Sequence, residues 1–510
     1  MIRIYKRQEE IIMLNKDNRL IVNEDDTHFY YTRSWNNIEP DRAEIERFAD
    51  QYKPENVFEV ILTCAGRMSS RPSACRESFL DKYYQKFENG AEVDYTQHPV
   101  IKCVHRIAEL GLDFYDIALK RLRENGVQGW LSVRMNDIHE SYTPQCFLHP
   151  DFYHEHPEYR RIRYRENLGY FDRCYDYARP EIREYMLTYI EEIAGVYDFD
   201  GLELDWQRES FCFAPGEEEN GAEILNGFTR DVRRVLDDME KRVGHKIGLG
   251  VRVPSTPEVC LGAGFDVAVW AREGLISQVS PCSRWETTDT DIPVEIWKRL
   301  LAGTDVLLAP GTEVLLHSEP DKPIQSNTTE TTVGTAAAYH SAGADAFYLF
   351  NYMDTPVEKP DASFPGKPGE YAHLLDVLGS PEKLRKLSRR HVLSYNDMGP
   401  VWFDKCKGAA LPLAVRPRCP AFLRIRTGKI PEGKTVYLRL GISSADVDVY
   451  VNTVKAVPAE GAPFEDGRSS FGCSIYRLRN SSYTEHQVVE FVSRGQNLTV
   501  DYAEIFIPEE

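Results

Sequence analysis

Two charged segments of the sequence have the residue types and the spacing that acid–base chemistry requires. In the first, Ser132-Val-Arg-Met-Asn-Asp-Ile-His139, the residues Asp137 and His139 stand two positions apart. In an extended chain this spacing places both side chains on the same side. A carboxylate in that position can raise the basicity of the imidazole and orient it to take a proton from water. We therefore predict that Asp137 and His139 work together as a base.

The second segment is Asp200-Gly-Leu-Glu-Leu-Asp-Trp-Gln-Arg208. The period of two puts Glu203, Asp205 and Gln207 on one side of a strand, and buried acids are costly unless they have partners. The segment resembles the DxxDxDxE pattern of chitinase-like glycosidases. It departs from that pattern at Gln207, where the family has its acid glutamate, and an amide cannot donate a catalytic proton. The chitinase mechanism is therefore not expected here.

Two other strand ends carry acids that are candidates for a proton donor. Asn23-Glu-Asp-Asp26 follows the first β-branched run, and Asn351-Tyr-Met-Asp354 follows the last one. Helix N-caps and turns use the same residue types, so capping is the competing interpretation of these acids.

The elements that position these segments alternate between short β-branched runs and amphipathic stretches, as in repeated β-α units. The eight predicted strands are 20–23, 57–63, 129–134, 199–205, 246–252, 277–280, 305–309 and 346–351. The glycines that close most of the helices suit a left-handed C-cap: Gly126, Gly195, Gly244, Gly274, Gly303 and Gly343. An open doubly wound sheet would have a glycine-rich loop after its first strand, where this chain has acids.

We therefore predict an α/β fold, a (β/α)₈ TIM barrel over residues 1–390, with long loops after strands two and three. The carboxyl ends of all eight strands then meet at one mouth, which brings the charged segments together. A C-terminal antiparallel β-sandwich is predicted over residues 391–510, because short alternating strands at 421–426, 435–440, 447–451 and 498–507 are separated by turn residues.

Composition excludes several classes of function. Lys and Arg number 61 against 80 for Asp and Glu, a net charge of −19 that disfavours nucleic acid as a partner. No apolar run is long enough to span a membrane, and the first residues do not form a secretory signal, so we expect a cytoplasmic protein unless a leader was removed. Eleven cysteines without CxxC pairs indicate free thiols. His154-Glu-His156 lacks the HExxH spacing, and we expect neither a metal nor a cofactor.

Three segments together resemble glycoside hydrolase family 156, the inverting exo-sialidases, in which a (β/α)₈ barrel precedes a β-sandwich. They are Arg134-Met-Asn-Asp-Ile-His139, the segment ending Gln207-Arg208, and Phe350-Asn-Tyr352. The resemblance implies hydrolysis of terminal sialic acid with inversion, by a homodimer. It also implies that His139, supported by Asp137, activates water and that an acid of the first strand protonates the leaving oxygen. We choose Asp25, and Asp26 is the near alternative because one residue of register decides between them.

The implied substrate carries its own carboxylate beside the reacting carbon, and that carboxylate would repel an acidic base but not an imidazole. The resemblance makes Arg134 and Arg208 its ligands, because a guanidinium matches a carboxylate with two parallel hydrogen bonds. An ion pair to Glu203 or Asp205 is the competing role for either arginine. Further candidate substrate contacts at the strand ends are Asn136, Glu203, Asp205, Gln207 and Asn351.

Two other functions are considered. A retaining glycosidase for another sugar would use Glu203 as acid/base and Glu313 as nucleophile, with the carboxyl groups about 5 to 5.5 Å apart rather than the roughly 6.5 to 9.5 Å of inverting pairs. A non-catalytic glycan-binding barrel is suggested by Gln207, which stands where a chitinase-like acid would be.

Overall fold

A computed structural model describes residues 19–25, 27–285, 287–316, 325–352, 370–394, 410–459, 474–478 and 483–509 of the chain. Eight parallel strands close into a barrel within these residues. They are β1 Leu20–Glu24, β2 Glu59–Ala65, β3 Gln128–Arg134, β4 Gly201–Asp205, β5 Gly248–Pro254, β6 Gln278–Cys282, β7 in two pieces, Leu307–Leu308 and Gly311–Glu313, and β8 Phe347–Phe350. Each strand pairs with the next, and β8 pairs with β1, which closes the ring. The predicted (β/α)₈ barrel is confirmed.

Helices occupy the connections between the strands and the segment that follows β8. Their bounds are His28–Trp35, Arg42–Asp50, Phe79–Tyr84, Pro99–Glu109, Phe114–Asn125, Asp151–Glu155, Pro180–Val196, Glu218–Val243, Pro257–Gly262, Val267–Arg272, Val294–Leu300, Thr329–Ser341, Glu370–Val377 and Pro381–Lys386. In the described part of the chain, none of them combines the length and the apolar character that a membrane span requires.

Five of the six glycines predicted to adopt the left-handed conformation do so. Gly126, Gly244, Gly274, Gly303 and Gly343 have φ between +68° and +94°. The prediction is wrong for Gly195, which lies inside the helix Pro180–Val196. That helix ends where Tyr197 turns extended, at φ −97° and ψ 163°, while its N–H still bonds Ile193 O. An extended exit of this kind requires no glycine.

The alternation of side chains along the strands separates two apolar layers. One layer lies between the barrel and its helices, and the other lies inside the barrel and includes Ile21, Ile61, Trp130 and Tyr348. Within β4 a Cβ on Gly201 would point at the Trp130 ring inside the barrel, and Glu203 and Asp205 follow at steps of two on the same face. The predicted inward face of strand four is therefore confirmed.

Two antiparallel sheets follow the barrel and share one apolar cluster between them, as in a sandwich. The first contains Arg389–Leu393, Leu413–Val415, Val436–Ile442, Val457–Pro458, Ser474–Leu478 and Leu498–Ile507, and the second contains Ala421–Arg426, Val447–Val451, Val454–Lys455 and His486–Ser493. The first strand thus begins just before the predicted domain boundary. It packs on the helix Thr329–Ser341 so closely that a Cβ on Gly334 would lie 2.1 Å from Arg390 O.

We expect Gly201→Ala to destabilise the barrel, because a Cβ there would lie 2.3 Å from Trp130 Cε2. Overpacking of a filled core costs about 1–3 kcal/mol, which urea unfolding would measure. The matched control is Gly227→Ala in the helix Glu218–Val243, where nothing lies within 4 Å of the added Cβ. That change should stabilise by about 0.5–1 kcal/mol. Equal stability of Gly201→Ala and the parent would contradict the packing described here.

Candidate active site

A cleft opens at the carboxyl ends of β1, β2 and β3, with about 520 Å³ of empty space that is partly open to solvent. One wall is polar and consists of Asp25, Arg134, Asp137 and His139, and the other is apolar and consists of Met68, Phe79, Phe147 and Leu148. The predicted base and the predicted acid therefore line the same cleft. Asp26 lies outside the described residues.

Asp137 holds His139 through two hydrogen bonds to one carboxylate oxygen. Oδ1 of Asp137 accepts the backbone N–H of His139 at 2.9 Å and lies 2.7 Å from its ring Nδ1. Because the carboxylate is an acceptor, Nδ1 carries the proton and Nε2 presents a lone pair. Burial lowers the pKa of His139, as does the charge of Arg208, and both outweigh the opposite effect of Asp137. The imidazole is therefore neutral at neutral pH, with the tautomer that a base needs.

Arg208 contacts the other side of the same imidazole. Its Nη2 donates to Nε2 of His139, and its guanidinium lies over the Trp285 ring at 4.0 Å from the ring centroid. The buried Arg208 is thus fixed against the ring atom that would receive a proton.

Arg134 lies between two carboxylates. Its Nη2 donates to Asp25 Oδ2 at 2.5 Å, and its Nη1 lies 3.4 Å from Asp137 Oδ2. Burial raises the pKa of Asp25, but Arg134 and two hydrogen bonds from Thr27 lower it by more, so it lies well below its usual value. Asp25 is therefore ionised in this arrangement. Its neighbour Glu24 points to the other face of β1, where Tyr52 and other residues outside the barrel bond it.

Two arginines contact the Asp137–His139 pair from different sides, Arg134 at Asp137 and Arg208 at His139. The pKa of Arg208 is lowered by burial and next by the charge of Arg134, while the charges of Asp137 and Glu209 raise it. An anion bound by both arginines would offset their like charges and accept their hydrogen bonds.

Arg67 and His149 hold the turn that carries His139, and neither is among the site residues predicted from the sequence. Arg67 donates from Nε to Asp137 O at 2.6 Å and from Nη2 to His139 O at 3.1 Å. His149 Nε2 lies 3.0 Å from the same His139 carbonyl. The adjacent Gly66 permits this packing, since a Cβ there would lie 3.0 Å from Asp137 Oδ2. Arg67 follows β2 directly, so applying the strand-end criterion to strand two would have found it.

Several residues predicted to contact substrate are instead bonded to the protein. Glu203 is 0% exposed, and its Oε1 accepts from Asn23, Ser132 and Tyr348. Asp205 is 1% exposed and is paired with Arg252 at 2.9 Å.

Gln207 donates to Cys282 O at 3.0 Å and accepts from Ser210 at 2.8 Å. Asn136 is tied to the backbones of Tyr175 and Phe211. With Glu203 and Asp205, these two therefore position the site rather than face a ligand. The expected ion pair of Arg134 or Arg208 with Glu203 or Asp205 is also not formed in the described residues, where Arg252 is the partner of Asp205.

Asn351 and Glu313 lie at the ends of the neighbouring strands β8 and β7. Asn351 has φ +54°, and its buried Oδ1 has no hydrogen-bond partner among the described residues, which suits a group that meets a ligand. Glu313 is 4% exposed, and its charge acts on Arg284. Among the described residues, no group of three or more His, Cys, Asp or Glu side chains is arranged to hold a metal ion.

Comparison with solved structures finds proteins named as glycosidases. Alpha-L-fucosidase isoenzyme 2 from Paenibacillus thiaminolyticus is 11% identical with a TM-score of 0.40, over 72% of this chain and 48% of that one. The PgaB (BpsB) glycoside hydrolase domain from Bordetella bronchiseptica is 12% identical with a TM-score of 0.42, over 71% and 99% of the two chains. Chitinase ChiW from Paenibacillus sp. str. FPU-7 is 10% identical with a TM-score of 0.42, over 95% and 53%.

This chain spans about half the length of the fucosidase and of the chitinase. At these identities and scores the similarity carries no argument about function. No family model matches the chain, and neither does any curated protein. The resemblance to glycoside hydrolase family 156 therefore stays a prediction.

We expect Glu203→Gln to stabilise the protein increasingly as the pH rises. Burial, and next the charge of Asp205, raise the pKa of Glu203 to about 7, whereas an unfolded glutamate titrates near pH 4.3. Between these values the folded state holds a proton that the unfolded state has lost, so stability falls as the pH rises through this window. The variant should avoid this loss, which is about 4 kcal/mol over the whole window.

The measurement is the difference in unfolding free energy between variant and parent at pH 5 and pH 8. Glu223→Gln, at an exposed position of the helix Glu218–Val243, is the control and should show the same difference at both pH values. A Glu203→Gln difference that does not change with pH would contradict a protonated Glu203.

Proposed function

We propose that this protein is a glycoside hydrolase that acts on a sugar bearing a carboxylate, namely an exo-sialidase that releases terminal sialic acid from glycoconjugates with inversion. The observation that carries the proposal is the neutral His139, oriented by Asp137 in an open cleft that Asp25 and Arg134 also line, with Arg208 bonded to its ring. A base, an acid and two guanidiniums for a substrate carboxylate therefore occur together. Asn351, at the end of β8, is the candidate acceptor for a sugar hydroxyl, because its Oδ1 has no hydrogen-bond partner among the described residues.

The reaction would proceed in one displacement. A water oxygen bonds to the anomeric carbon and gives a proton to His139 Nε2 as the glycosidic bond breaks on the opposite face. The leaving oxygen takes a proton from the carboxyl group of Asp25. The products are a sugar of inverted configuration, an alcohol, an Asp25 carboxylate and an imidazolium that Asp137 stabilises.

The geometry offers less support to the retaining alternative. A pKa of about 7 would suit Glu203 as an acid/base group, but its side chain is fully buried among Asn23, Ser132 and Tyr348. Ser132 and Glu203 pair with one another two residues before Arg134 and Asp205 along their strands, so Glu203 lies one layer deeper in the barrel than the cleft. A glycosidic oxygen in the cleft would not reach it.

The decisive test follows the hydrolysis of an α-linked aryl sialoside by proton NMR from the first minutes. We expect the β-anomer of the sugar to appear first, and we expect His139→Ala to lose turnover by about 100-fold or more, in the range of general base catalysis. His156→Gln, at a half-buried histidine of the same long loop, is the matched control and should keep the parent rate.

Two outcomes would overturn this proposal. Early release of the α-anomer would favour the retaining mechanism, and binding of the sialoside without turnover would favour the glycan-binding barrel.

The pH profile of kcat/KM gives a second prediction. His139 must be neutral to accept a proton, and its pKa is lowered by burial and Arg208. We therefore expect the acid limb of the profile to lie below the usual histidine value of about 6.5. An acid limb at or above that value would argue that another group is the base.

A further inference from the structure

Both groups that would move protons in this site are held by an arginine. Asp25 Oδ2 accepts Nη2 of Arg134 at 2.5 Å, and Nε2 of His139 accepts Nη2 of Arg208. A carboxylate paired with a guanidinium stays ionised and has no proton to donate. A ring nitrogen whose lone pair already accepts an N–H cannot receive a proton from water at the same time. In this arrangement neither group can perform its step.

The same two arginines are the ones suited to bind an anion. They contact the two members of the bonded Asp137–His139 pair, and each is buried, so bulk water compensates their charges poorly. A ligand carboxylate offers two acceptor oxygens to a guanidinium, whereas a single imidazole nitrogen offers one. Such a carboxylate would therefore compete effectively with Nε2 of His139 for Arg208. It would also compete with Asp25 for Arg134, because Thr27 already engages Oδ1 of Asp25 and only Oδ2 accepts from Arg134 Nη2.

We propose that the substrate carboxylate switches the site on by drawing Arg134 away from Asp25 and Arg208 away from His139. This inference rests on the proposed function. The exchange leaves Asp25 buried beside Thr27 without its cationic partner, so it takes one proton from solvent and becomes the acid. It leaves Nε2 of His139 open to water while Asp137 still holds Nδ1. A neutral sugar would bind without releasing either group.

The remaining charged groups around the two sites fit this exchange. Asp137 faces Arg134 as well as His139, and the charges of Asp137 and Glu209 act on Arg208, so each arginine keeps an anion nearby when the pairs rearrange. Thr27 donates two hydrogen bonds to Oδ1 of Asp25, which leaves Oδ2, the oxygen that Arg134 vacates, to carry the proton. The charges of Arg208 and Arg134 both lower the pKa of His139.

The first test compares an aryl sialoside with its methyl ester, which has the same shape without the charge. We expect kcat for the ester to be lower by about 100-fold, because the ester cannot take the guanidiniums. The discrimination between acid and ester should collapse in Arg134→Gln and in Arg208→Gln. The discrimination should persist in Arg284→Gln, because Arg284 pairs with Glu209 and not with Asp25 or His139. If the ester had a higher KM than the acid but the same kcat, the switch would be overturned and the sialidase proposal would stand.

The second test does not require turnover. Titration calorimetry of N-acetylneuraminic acid near pH 6, in buffers of different ionisation enthalpy, measures the protons taken up on binding. We expect an uptake approaching one proton per site in the parent protein and none in Asp25→Asn, which should still bind through the arginines. Binding without proton uptake by the parent would overturn the switch, even if no sialoside were hydrolysed. Absence of binding would overturn both this inference and the proposed function.

Discussion

Charge compensation is the constraint on which the mouth of this barrel depends. An ionised side chain taken out of water must find an opposite charge within hydrogen-bond distance, or it changes its protonation state instead. Asp25, Arg134 and Asp137 satisfy this rule as a row of alternating sign. Glu203 has no such partner among the described residues and holds a proton up to about pH 7. The same requirement therefore keeps Asp25 ionised and keeps Glu203 protonated up to about pH 7.

The row of charges also explains why the strand ends are arranged as they are. Arg134 and Asp205 are register partners on β3 and β4, and Arg252 follows Asp205 on β5. Arg252 neutralises Asp205, and that leaves Arg134 and Arg208 to serve the cleft. Beneath the row, burial raises the pKa of Glu203 and that of Glu59. Depth in the barrel thus shifts these two acids toward the protonated form.

Sequence reasoning predicts much of this structure because the two patterns it uses are local. They are the two-residue spacing of side chains and the alternation of strands with helices. The spacing of Asp137 and His139 is enough to bring them together, and the strand-helix alternation is enough to give the barrel. The pleat of β1 likewise places Asp25 inward with Ile21 and Asn23 and turns Glu24 outward. Depth was not predictable: whether Glu203 reaches the cleft depends on the stagger between strands, which is a property of the closed barrel. The contact between Arg208 and His139, which are distant in sequence, likewise depends on the closed barrel. Arg67 stands just after β2, where the strand-end criterion applies.

The ring of Trp130 lies against Gly201, Gly248 and Gly250 at the amino-terminal end of the barrel, where a Cβ on any of the three would collide with it or press tightly against it. One indole thus acts as the floor of the barrel. The axis is blocked at that level in the described residues, so a molecule that enters the cleft must leave from the same side. Under the proposed function, the released sugar keeps its carboxylate and would compete with incoming substrate for one entrance and one pair of guanidiniums. Product inhibition is therefore an expected consequence of the proposed reaction in a pocket that is closed at one end.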